Sequence, residues 1–188
     1  MMTQREVTQD QVNRLLDDAA YLQDEAEALK YVIEQVPYSD VPPEGKSIYA
    51  MLELLDYAQV SYYRPLIERI FSENRIIRLA DLEHYETTFI STAESEKGDE
   101  PDINKLLNKI IKHRAGIINV LKQLMLIDWE REVKDRDKKS ITLFQFVERM
   151  VLGERKILKD IADLVLIYQN EKLSTREITA RAKQRNKT

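Results

Sequence analysis

Residues 11–36, QVNRLLDDAAYLQDEAEALKYVIEQV, place apolar side chains at Val12, Leu15, Leu16, Ala19, Leu22, Ala26, Leu29, Ile33 and Val36. Steps of mostly three and four put them on one face of a helix, predicted over Thr8 to Val36, with Asp17, Asp18, Asp24, Glu25 and Glu27 toward solvent. The cluster Pro37 to Gly45 ends it, because three prolines remove amide donors and clash with a preceding helical turn. A second helix starts at Ser47, whose hydroxyl suits a cap, and carries Ile48, Leu52, Leu55, Tyr62 and Leu66 inward. Pro65 is expected to kink or interrupt its last turns.

Ile76, Ile77, Leu79, Leu82 and Phe89 hint at short helical pieces, and Ser91 to Asp99 reads as a polar loop. A third helix carries Ile103, Leu106, Leu107, Ile110, Ile111, Ile117, Ile118, Leu121, Leu124 and Met125, and stops before the charged run Glu130 to Lys139. The fourth starts at Ser140 or Thr142, where Thr142 and Gln145 have the spacing of a capping box. Its core face runs Phe146, Val147, Met150, Val151, Ile157, Leu158, Ile161, Leu164, Val165 and Tyr168. Four amphipathic helices without a credible strand predict an all-α, up-and-down-type four-helix bundle over residues 1–173. A basic extension, 174–188, follows, frayed or helical.

Composition excludes several function classes. The 188 residues suit one domain, and 29 Lys+Arg against 33 Asp+Glu, net charge −4, give no basic face for nucleic acid. No apolar run approaches the ~20 residues of a membrane span, and the polar start MMTQREVTQDQ has no apolar core of a leader. Zero cysteines remove disulfide and thiolate chemistry and fit a cytoplasmic protein. There is no phosphate-binding glycine loop and no nucleophile elbow. His84 has only the isolated Asp81-x-x-His84 spacing, while His113 lies between Lys112 and Arg114, whose charges oppose a metal there. Both read as structural or exposed. The nine tyrosines, Tyr57, Tyr62 and Tyr63 among them, read as core or interface.

Two stretches carry a resemblance. Gly45-Lys46-Ser47-Ile48-Tyr49-Ala50-Met51-Leu52-Glu53-Leu54-Leu55-Asp56 is similar to the opening of helix two in the DinB/YfiT-like superfamily, although the tryptophan of that pattern is missing between Lys46 and Ser47. Ile127-Asp128-Trp129, then Ile141-Thr142-Leu143, resembles the same family's approach to helix four. Together with the helix order and the proline-rich first loop, the likeness spans roughly Val7 to Tyr168.

The resemblance implies a four-helix bundle, often dimeric. Metal-competent members hold a divalent ion between one helix-two histidine and a pair four residues apart on helix four, a spacing that stacks two imidazoles on one helical face. It puts those ligands at Leu54, Gly153 and Ile157, none of which binds a metal, in a pocket also lined by Tyr57 and Met150. The neighbours Glu53 and Glu154 are the only potential ligands one residue away. A mid-helix glycine such as Gly153 costs about 1 kcal/mol relative to alanine, which favours a close helix contact there. The reading is a metal-free, non-catalytic bundle without a cofactor, acting through binding or as a homodimer. The competing class is an enzyme like the family's thiol-dependent transferases, with the metal replaced by Tyr57, Glu53 or Glu154.

Overall fold

The computed structural model describes residues 6–73, 75–81, 84–91 and 102–185; the expected loop at 92–99 lies outside the described residues. Helix α1 spans Gln9–Leu29, shorter than predicted, and a 3-10 turn at Ile33–Gln35 keeps Ile33 and Val36 buried. Its start is a capping box: the Gln11 amide N–H donates to the Thr8 hydroxyl, and the Thr8 amide donates to the Gln11 side chain.

Helix α2, Ile48–Ala58, opens on Ser47, whose Oγ accepts from the Ala50 amide at 3.1 Å. It continues through a π turn at Gln59–Tyr63 into α3, Arg64–Ser72. The interruption expected at Pro65 therefore appears as one widened turn just before it. The Arg64 amide reaches back to the Gln59 carbonyl, and the wider coil accommodates a ring that cannot donate. A single helical turn, α4, spans Tyr85–Thr88. Helix α5, Ile103–Leu121, is capped by Asp102, and α6 runs for 43 residues, Leu143–Arg185. The Thr142 box forms as read: the Gln145 amide donates to Thr142 Oγ1 at 3.2 Å and the Thr142 amide to Gln145 Oε1 at 3.1 Å. The basic extension continues α6 to residue 185.

The four long helical segments form the bundle. Helices α1 and α2 each pack against both α5 and α6, so the consecutive pair α1 and α2 lies across a diagonal, joined by the proline-rich connection. The core unites their apolar faces, including Leu22, Leu52, Leu55, Leu66, Leu107, Ile117, Val147 and Ile161. No helix among the described residues is long and apolar enough to cross a membrane.

The absence of strands was a misreading. Strands β1 (Ile77–Arg78), β2 (Glu132–Lys134) and β3 (Ser140–Thr142) form a small sheet, β1 parallel to β2 and β2 antiparallel to β3. Ile77, Val133 and Ile141 lie opposite one another in register and are all buried. The charged run at 130–139 is the hairpin. Asp135 holds the turn through the Lys139 amide, and Lys138 takes a positive φ of 63°.

Candidate functional site

The α6 stripe facing the core includes Val147, Met150, Val151, Glu154, Leu158, Ile161 and Val165. A carboxyl side chain thus sits in the middle of an apolar face. Opposite it on α5, Arg114 occupies the corresponding place between Ile110 and Ile117, and the two are 1 % and 2 % exposed. Arg114 Nη2 and Glu154 Oε2 form an ion pair inside the bundle. From the π turn, Gln59 completes the cluster. In the amide orientation that satisfies its neighbours, its nitrogen donates to the Ile110 carbonyl at 3.1 Å and its oxygen accepts from Arg114 Nη2 at 3.1 Å.

Burial pulls the Arg114 guanidinium down to about 10, partly offset by Tyr63, so it remains charged at neutral pH. Burial in turn pushes the Tyr63 hydroxyl well above the usual tyrosine range, helped by Tyr85, to whose hydroxyl it donates at 3.4 Å. Both Glu154 carboxyl oxygens and Arg114 Nη1 lack hydrogen-bond partners among the described residues, so charge holds this pair together.

The positions read from the resemblance differ in burial. Leu54 and Met150 are buried, and Ile157 is half-buried at the edge of the core. Gly153 is exposed, and a Cβ built there would meet nothing within 4 Å. The close helix contact expected at Gly153 is therefore absent, and the inward position on α6 is one residue later, at Glu154. The Gly153→Ala variant is expected to melt at a higher temperature, by the ~1 kcal/mol that alanine gains over glycine in a helix. A lower melting point would mean that this face is packed.

The remaining candidates separate. Glu53 and Tyr57 lie on the other side of α2, in an outer groove, where Glu53 accepts from Ser91 Oγ at 2.5 Å and Tyr57 bonds Thr88 at 3.2 Å. His84 caps α4 and stacks on Tyr85 at 4.4 Å, and burial lowers its basicity. His113, read as hemmed in by cations, instead places Nδ1 2.7 Å from Asp56 Oδ1, while its neighbour Arg114 turns into the core.

No family model matches the chain, and no curated protein does. A solved structure, YfiT from Bacillus subtilis, superposes with a TM-score of 0.67 at 11% identity, over 87% of this chain and 91% of that one. The chain has a YfiT-like fold. YfiT is described as a probable metal-dependent hydrolase with an unusual four-helix bundle topology, and the diagonal packing of α1 and α2 departs from a simple series of adjacent hairpins.

A divalent metal in this interior would have to be held by the buried polar side chains. Glu154 is the one carboxylate in the cluster, it is paired with Arg114, and a cation there would meet the guanidinium charge. Among the described residues no three His, Asp or Glu side chains gather in a metal-holding group. Among the described residues, the Arg114–Glu154 cluster does not fit a divalent cation.

Proposed function

We propose that this chain is a metal-free, non-catalytic bundle of the DinB/YfiT type that acts in the cytoplasm through binding, with a second copy of itself as partner. The observation that carries the reading is the buried Arg114–Glu154 pair with Gln59, which fills the interior between α2, α5 and α6. A guanidinium there serves as a resident counter-charge, so the helices are tied together by side chains alone. The competing enzymatic reading pools Glu53, Tyr57 and Glu154, and it is weakened by the placement of the first two on the outer groove and the third in the core.

Self-association is supported by α6. Its 43 residues reach about 64 Å at 1.5 Å per residue, twice the reach of the 21-residue α1. Leu166, Ile167 and Leu173 on it are exposed by half or more. Three and four residues separate such positions from the intervening Asn170, giving a partly apolar stripe that a second helix would cover.

Sedimentation of the purified protein with and without EDTA tests both parts. The expected species is twice 22.1 kDa in either buffer, with no stoichiometric metal by elemental analysis. A 22.1 kDa species at high micromolar concentration, or one tightly held ion per chain, overturns the proposal.

A further inference from the structure

The groove of roughly 1000 Å³ between α2, the α4 segment and α5 is separate from the closed interior, and its charges are arranged unevenly. Each carboxylate on its wall already has a hydrogen-bond partner: Asp56 has His113, Glu53 has Ser91, and Asp102 caps the Lys105 amide. Lys105, Lys109 and Lys112 line the same groove from α5 without an ion pair among the described residues. Spacings of four and three bring the three ammonium stems to one side of the helix. His113 follows Lys109 by four residues on that side. With the Asp56 carboxylate as acceptor, Nδ1 is the donor of this 2.7 Å bond and Nε2 is the ring nitrogen outside it. The opposite wall is aromatic and aliphatic: Tyr57 and Phe89 have ring centroids 5.7 Å apart, and Val60 is 43% exposed.

We propose that this groove binds a small organic anion, a phosphate or carboxylate carried on an aromatic body. Lys109 and Lys112 meet the anion, His113 Nε2 bonds a polar atom beside it, and the body lies against Tyr57 and Phe89. Free ammonium groups select the charge, since charge-assisted hydrogen bonds are about twice as strong as neutral ones. The apolar wall selects the body, which inorganic phosphate lacks. The Asp56–His113 pair fixes the ring so that neither nitrogen has to be reoriented on binding.

The test is a titration of the full chain by amide NMR with phenyl phosphate and phenylacetate, beside inorganic phosphate and benzyl alcohol. One or both aromatic anions should saturably shift amides at 53–60 and 105–113, and bind at least about tenfold more tightly than either control. The Lys109→Ala/Lys112→Ala variant should lose about tenfold in affinity for the same probe while its melting temperature stays unchanged, since neither lysine is in the core. Shifts that fail to saturate, map elsewhere, or persist undiminished in the double variant overturn the site. Equal binding of inorganic phosphate or benzyl alcohol overturns the ligand class.

Discussion

Replacing Glu154 by alanine is expected to destabilise the bundle by about 3–5 kcal/mol, because it strands the Arg114 guanidinium in an apolar interior. For a chain of this size that is roughly 6–20 °C in melting temperature. Arg114→Ala should do comparable damage by stranding the carboxylate. The double variant Arg114→Met/Glu154→Leu should recover most of the loss, since well-packed apolar side chains replace a buried pair at little or no cost. A thermodynamic cycle of the four proteins reads the coupling directly. Single losses below about 1 kcal/mol would mean that water reaches the pair, and the closed interior would have to be abandoned.

Trp129→Ala is expected to cost a similar 3–5 kcal/mol. The indole is 1% exposed, sits in the 3-10 turn Leu126–Glu130 and meets Phe144 edge-on at 6.3 Å between centroids. Removing it opens a cavity between that turn and the first turn of α6. As this is the single tryptophan, unfolding has to be followed by circular dichroism rather than intrinsic indole emission. A loss near that of a surface substitution, within about 0.5 kcal/mol, would show that the turn is not packed against the bundle.

The helices were legible because periodicity and caps agree on them. Ser47 and Thr142 begin their helices as read, since a hydroxyl next to an apolar stripe is a local signal. Thr8 begins α1 by the same device, paired with Gln11. The sheet was not legible: strands of two and three residues are too short for alternation, and Val133 stands alone among charges. Its pairing with Ile77 spans a long chain separation that no local pattern reports. The interior cluster was half legible. In the sequence Glu154 stands out only as a potential ligand beside an expected ligand position. Its place four residues from both Met150 and Leu158, inside the apolar stripe, is the signal that marks it as buried. Arg114 carries the same mark, four residues from Ile110 and Ile118. The close contact expected at Gly153 is absent because that residue lies off the buried face, one position before Glu154.

Strand β3 ends at Thr142 and α6 begins at Leu143, so the hairpin grips that helix at its root. Glu154 pins it a second time, from within, and Lys172 makes a last tie to the Gln35 carbonyl at 3.3 Å. Three supports and an outboard span describe a cantilever. A load applied to the turns beyond residue 172 bends them before it slides the helix along its axis, because sliding would part the buried charges. The outer turns of α6 are thereby mechanically insulated from the core that anchors them.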